Sequence, residues 1–257
     1  MSISDLIIML VGGFCAGFLN SLAGFGSIIT LAIFMDILGL PGHVANATNR
    51  VNVLSSSIVS SATYYKNGKL DLVKGKKYIF IVAAGAIVGI LLAADLNDTE
   101  FKSLFNYLLI PIFFIILINP KRFISPDMST DKMSNWVVFP LFFIFGLYAG
   151  LIQVGFGVLF LMVMVMMLKY DLIESNAIKV ATVGIYTVIA ILIFHYNGLI
   201  NWKFGLLMAV GQGFGGFVAA KYSSTMENAN RYAYYLLVAI VLAVIIKNFE
   251  IWKIFIS

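Results

Sequence analysis

Two short stretches place polar groups and one cation inside otherwise apolar sequence. They are His43-Val44-Ala45-Asn46-Ala47-Thr48-Asn49-Arg50 and Glu174-Ser175-Asn176-Ala177-Ile178-Lys179. A cation on an apolar helix costs about 2.5–3.5 kcal/mol at the centre of a bilayer, so a buried Arg50 or Lys179 normally has a task. The bland alternative is snorkelling, in which each cation reaches the headgroups from a nearby helix start. Because the two cations occur in matching elements, we expect a site that holds an anion. Asn46, Asn49 and Asn176 would supply neutral hydrogen bonds, and Asn46 and Asn176 could also cap their helices. A second pair of features is Gly24-Phe25-Gly26 and Gly155-Phe156-Gly157, each near the middle of a long apolar run. Glycine lets a helix break or lets backbones approach closely. A break at membrane depth exposes N–H groups at a helix start, whose partial positive charge favours an anion. Asn20, Ser21, Ser27 and Thr30 flank the first Gly-Phe-Gly, and Gln153 flanks the second.

Other chemistry is sparse. His43 and His195 are the only histidines and Cys15 is the only cysteine. A disulfide within the chain is excluded, and neither a metal site nor a cofactor is expected. Clustered His, Asp or Glu at membrane depth is missing, which argues against an enzyme, and no G-x-x-x-x-G-K-[ST] motif occurs to drive pumping by ATP. Glu174 reads as an acid favoured at a helix start more than as a proton-coupling group. The methionines between Met162 and Met167 read as packing.

The elements that must position these residues lie in lipid. Of 257 residues, 61% are hydrophobic and 11% charged, far from the roughly 25% charged residues of soluble domains. A water-soluble fold and a disordered chain are both excluded. The net charge of +5 fits cytoplasmic loops beside anionic lipid, not a nucleic-acid partner. No basic leader precedes the first apolar run, so it reads as part of the mature chain. Apolar stretches fall at 6–35, 44–65, 78–94, 103–119, 136–168, 177–196, 203–220 and 232–247. They lack the alternation of barrel strands and read as helices, giving an all-α polytopic membrane protein. The first and fifth stretches would be roughly 45–50 Å long as continuous helix. That is too long for a core about 30 Å thick without extreme tilt. Both are therefore expected to break at Gly-Phe-Gly. Trp136, Trp202 and Trp252 sit where an interfacial belt would lie.

The chain also resembles itself. At an offset of 130, Asn46-Ala47 matches Asn176-Ala177, Asn67-Gly68 matches Asn197-Gly198, Gly75 matches Gly205 and Gly85 matches Gly215. At 131 the two Gly-Phe-Gly motifs coincide. The ordered series implies duplication. We expect a transmembrane repeat over 1–119, a linker over 120–135 and a second repeat over 136–257. Setting Arg50 and Lys179 aside, the other fifteen Lys and Arg residues divide eleven to four, whether the long stretches cross once (eight crossings) or fold back (ten segments). Loops 64–77 and 119–135 are cytoplasmic in both schemes. Loop 64–77 carries five lysines and its counterpart 195–204 carries one. That contrast favours inverted repeats of five segments about an axis in the membrane plane.

Three stretches then resemble a known family. They are the glycine-rich segments Gly17 to Ser27 and Gly146 to Gly157, the run Leu40-Pro41-Gly42 through Arg50, and Asn176-Ala177-Ile178-Lys179-Val180. Together they resemble the sulfite exporter TauE/SafE family of membrane permeases over nearly the whole chain. The family's run of three or four glycines is thinned here to Gly-Phe-Gly, and Gln153 stands where many members carry a small or apolar residue. The resemblance implies transport of sulfite, sulfoacetate or related sulfonates. The combined expectation is a multi-pass permease of the cell (plasma or inner) membrane, moving a small anion by alternating access. Its expected site is Asn20, Gly24, Gly26, Ser27, Asn46, Asn49, Arg50, Gln153, Gly155, Gly157, Asn176 and Lys179. Proton or sodium is the expected coupling ion. An anion channel and a scaffold that moves nothing are the rivals.

Overall fold

The computed structural model describes residues 2–22, 24–117 and 133–223, apart from the side chains of 109–117, and all regular structure among them is helical. Helix α1 (Ile3–Leu22) is followed by α2 (Gly26–Ala32), which runs on as a π-helical turn over Ile33–Ile37. Then come α3 (Gly42–Lys66), α4 (Leu72–Ala94) and α5 (Asp98–Leu117). The second half passes through the same types in the same order. They are α6 (Asn135–Leu151), α7 (Phe156–Leu161) with a π turn over Met162–Met167, α8 (Leu172–Tyr196) and α9 (Trp202–Ser223). Of these, α1, α4, α8 and α9 are long and apolar enough to cross a membrane. The expected stretch at 232–247 and most of the expected linker lie outside the described residues.

Local chemistry sets the helix ends. Asp71 accepts from the amides of Val73 and Lys74 to start α4, and Asp171 accepts from Ile173 and Glu174 to start α8. Asn46 and Asn176 therefore do not cap: α3 begins after Pro41, and both asparagines face inward one turn further on. The paired Asn67-Gly68 and Asn197-Gly198 are helix stops. Gly68 and Gly198 adopt φ of +65° and +67°. The next amides then reach back to the carbonyls of Tyr64 and Phe194 at 2.9 and 3.0 Å, closing each helix in the left-handed manner glycine permits.

Each interrupted stretch doubles back. The amide of Met133, just before α6, donates to Met167 O at the end of α7 (3.0 Å), so α7 returns to the end from which α6 set out. In the first half the end of α2 lies along α1, with Phe34 and Met9 in one apolar cluster. The remaining helices share two ends. At one, Tyr64 of α3 bonds Ser223 of α9 (2.8 Å) and Lys74 of α4 pairs with Glu174 of α8 (3.2 Å). At the other, Asn201 ahead of α9 donates to Thr48 of α3, and Gly42 donates to Asp98 of α5. Helix α3 thus ends beside the start of α8, and the two run antiparallel.

Two glycine seams hold the bundle. Gly211 and Gly215 of α9 lie against the carbonyls of Leu10 and Phe14 on α1, and Gly85 and Gly89 of α4 lie against Phe143 and Leu147 on α6. A side chain at any of these four positions would overlap backbone. Close approach of this kind is how helices associate where lipid removes the hydrophobic drive. Replacing Gly89 or Gly215 by Val should lower the Tm of the detergent-purified protein, because overpacking costs about 1–3 kcal/mol or more. Val88→Ala on the outer face of α4 should leave Tm nearly unchanged; equal effects at 88 and 89 would contradict the seam.

Candidate functional site

The site is built where the two interruptions meet. Between α1 and α2, Gly24 turns the chain with φ +81°, and its amide donates to Leu19 O and Asn20 O (both 3.0 Å). Between α6 and α7 the break covers residues 152–155, with Gln153 at φ +69° and Gly155 at φ +76°. Gly26 and Gly157 belong to the helices that follow, so the second break falls slightly ahead of its Gly-Phe-Gly. A left-handed glutamine is uncommon and marks a position that its surroundings hold in place. A Cβ on Gly24 would overlap the backbone of Gly157. The two breaks are in contact, and glycine is required there for both conformation and space.

Interrupting a helix inside a low-dielectric interior leaves carbonyls without partners at its C-terminal end. Each half supplies the cation that caps the other. Arg50 of α3 donates through Nη1 to Ala149 O (2.9 Å) and Gln153 Oε1 (2.8 Å), and through Nη2 to Gly150 O (2.8 Å) and Asn46 Oδ1 (3.4 Å). Asn46 adds a bond to Leu151 O at 2.9 Å. Reciprocally, Lys179 of α8 donates to Asn20 O and Ser21 O of α1 (both 3.1 Å) and to Asn176 Oδ1 (2.7 Å). Cations at helix C-termini also offset the negative end of the dipole. Neither side chain snorkels: Arg50 is 0% exposed and Lys179 1%. At the offset of 130 Lys179 aligns with Asn49, one position before Arg50. The asparagine that steadies each cation shifts in step, four residues back for Arg50 and three for Lys179.

Arg50 and Lys179 are the only charged side chains buried among the described residues; no described carboxylate is buried. Between the breaks lies a cavity of ≈ 10 Å³, bounded by Gly24 and Gly157. Asn20, Gln153 and Lys179 form its polar wall, and Phe156, Val180 and Val183 its apolar wall. That volume suits about one water molecule. All three Lys179 donors are occupied, so the site is closed, and a polyatomic anion would have to displace protein contacts to enter. Gln153 is the link between the cations' surroundings: it accepts from Arg50, donates to Tyr186 Oη at 3.2 Å, and faces the cavity.

Of the residues expected from sequence, Asn20, Gly24, Gln153, Gly157 and Lys179 line this cavity. Asn46, Arg50 and Asn176 stand behind it as holders of the breaks, and Gly155 sits at the start of α7. Gly26 packs on Ala16 and Asn20 of α1. Ser27 accepts from Asn49 Nδ2 at 3.0 Å, which ties α2 to α3. Phe156, Val180, Val183 and Tyr186 were not anticipated, because an apolar residue that lines a pocket has the same signature as one that fills a core. Asn52, Ser56 and Gln212 were also missed; Asn52 could have been found as the next residue on the polar stripe of Asn49.

Comparison with known proteins agrees with a membrane transporter. The family model for sulfite exporter TauE/SafE matches residues 9–247. A probable membrane transporter protein of Sinorhizobium sp. is 29% identical over 85% of this chain and 83% of its own. Others from Haemophilus influenzae (24% identical, 86% of each chain) and Bacillus subtilis (20% identical, 87% and 90%) carry the same description. No solved structure matches the chain. With a family model spanning nearly all of a chain that has, among its described residues, four helices long and apolar enough to cross a membrane, this protein belongs to the sulfite exporter TauE/SafE family of membrane transporters.

Proposed function

We propose that the protein is a secondary transporter that carries a small anion by alternating access through the paired breaks. The observation that carries this reading is the charge of the interior. Two buried cations stand at two touching breaks, with no carboxylate buried among the described residues to balance them, and an anion is the solute that completes such a site. Lys179 would release Asn20 O and Ser21 O to grip the solute, with Asn20 and Gln153 as neutral donors. Arg50, whose four Nη bonds hold the second break and its surroundings, would contribute mainly its field. A sulfur-containing or organic anion, such as sulfite, sulfoacetate or another sulfonate, follows from the family. A channel is disfavoured by the closed cavity, and a scaffold has no need of two helix breaks meeting in its interior.

The architecture we infer is five segments in each half, 1–119 and 136–257, related by an axis in the membrane plane. It is supported by the antiparallel course of α3 and α8, by the doubling back of both interrupted stretches, and by helix bounds that recur at an offset of 130. The chain would lie in the cell membrane as a multi-pass protein, with loop 64–77 in the cytoplasm.

Three outcomes follow. Lys179→Met should fold yet lose sulfite flux in proteoliposomes by about 10–100-fold, the worth of a charge-assisted hydrogen bond; full flux would end the proposal. Arg50→Lys keeps the charge but not the fork that serves two backbone carbonyls and two side-chain amides. It should therefore lower Tm more than Lys179→Arg does, as read by thermal unfolding in detergent. A reporter fused after Ser257 should be active outside the cell, whereas a cytoplasmic signal would favour eight crossings.

A further inference from the structure

On the outer flank of the bundle, α4 and α6 part to leave an open groove of ≈ 720 Å³. The two helices run in parallel, with Gly85 against Phe143 and Gly89 against Leu147, and the groove lies toward their starts. One wall is a stripe of α6 from Trp136 to Ile144; Ile81 of α4 faces it, and Asn135 stands at its head. At 1.5 Å per residue that stripe covers about 12 Å, close to the depth of one leaflet in a hydrocarbon core about 30 Å thick.

An apolar wall by itself means only that hydrocarbon lies against it. The head of the groove is more particular, because Lys77 of α4 stands there between the two helices. Its Nζ lies 4.8 Å from the centre of the Tyr78 ring, 5.9 Å from that of Phe139 and 3.5 Å from Asn135 Oδ1. Aromatic faces and an amide oxygen position a cation without neutralising it. Lys74, one turn earlier, is already paired with Glu174 at 3.2 Å. Lys76 and Lys77 pair with no carboxylate among the described residues. Trp136 follows Asn135 and is 90% exposed, as suits a tryptophan at headgroup level. A bias of lysines toward the cytoplasm accounts for their number but not for this placement. The fold does not require them: at the offset of 130, Lys74, Lys76 and Lys77 correspond to Phe204, Leu206 and Leu207 on α9.

We propose that the groove between α4 and α6 binds an anionic phospholipid, its phosphate at Lys77 with Lys76 beside it and one acyl chain along Phe139, Pro140, Phe143 and Ile144. Basic pockets between transmembrane helices hold such headgroups, and the chain adds buried apolar area that a free anion lacks. A zwitterionic lipid offers the same chain but brings its own cation up to the lysines, which weakens the contact. The bound lipid lies along the α4–α6 seam and beside the start of α6, where the Met133 amide holds the returning end of α7 (3.0 Å). It therefore steadies the wall against which α7 turns back. The site is separate from the anion pocket and does not rest on the transport reading.

The test uses the full chain, stripped of lipid in detergent. Tm is measured with added phosphatidylglycerol, with phosphatidylcholine of the same acyl chains, and with glycerol phosphate, which carries the charge without the chains. Ligand binding to the folded state raises Tm. A saturable rise with phosphatidylglycerol that exceeds the rise with phosphatidylcholine supports the site. So does a loss of apparent affinity of about tenfold or more in Lys77→Gln, with none in Lys203→Gln at the opposite end of the bundle. Equal Tm of the unaltered chain in the two lipids overturns the site, whether or not either variant folds. A phosphatidylglycerol effect that Lys77→Gln leaves intact also overturns it, because the lipid then sits elsewhere. A rise that depends on Lys77 but is matched by glycerol phosphate overturns the acyl groove and leaves only a contact for free phosphate.

Discussion

The structure depends on a backbone requirement. In hydrocarbon every carbonyl must find a donor, yet two helices stop partway, at Leu22 and Leu151. Their exposed ends are closed by side chains that arrive from the other half of the molecule: Lys179 on Asn20 and Ser21, Arg50 on Ala149 and Gly150. The same bonds fix where the breaks lie, bring Gly24 against Gly157, and fill the interior with positive charge. Architecture and chemistry are therefore set by one set of contacts. Neither cation is free to serve a solute without giving up part of the fold, and this is why a closed site and a selective one can be the same site.

Around this centre, stiffness and mobility are divided. The glycine seams joining α1 to α9 and α4 to α6 leave no slack, because backbone meets backbone. The segments after the breaks are shorter, and each finishes in a π-helical turn, over Ile33–Ile37 and Met162–Met167. Such turns are weaker than regular helix and recur at functional positions. The contrast locates compliance in α2 and α7, between walls that do not yield.

Much of this was legible in the sequence. Composition identified lipid as the solvent, and the length of the first and fifth stretches made a break necessary. Asn67-Gly68 and Asn197-Gly198 showed the register because a left-handed helix stop needs glycine at one place. What stayed hidden was direction and partnership. Hydropathy is blind to whether a long stretch crosses or returns; the bond between Met133 and Met167 and the shared cluster of Met9 and Phe34 show the return. Arg50 and Lys179 were recognisable as costly, but the carbonyls that they serve lie about a hundred residues or more away in sequence, and no local spacing reveals them. Gln212 was overlooked for the same reason: one amide in an apolar helix gains meaning only when Asn52 comes to meet it.

The exchange of caps between halves bears on ancestry. A single half on its own would carry a severed helix with bare carbonyls and a buried cation with nothing to hold. Under the inverted architecture proposed above, an unfused ancestor of this plan would have needed a second copy in the opposite orientation in the same membrane. Its loops would then have carried little bias in basic residues, since one polypeptide would have had to insert both ways. On that reading the contrast between the lysine-rich loop 64–77 and its sparse counterpart is one that fusion permits, because each half can then commit to one orientation.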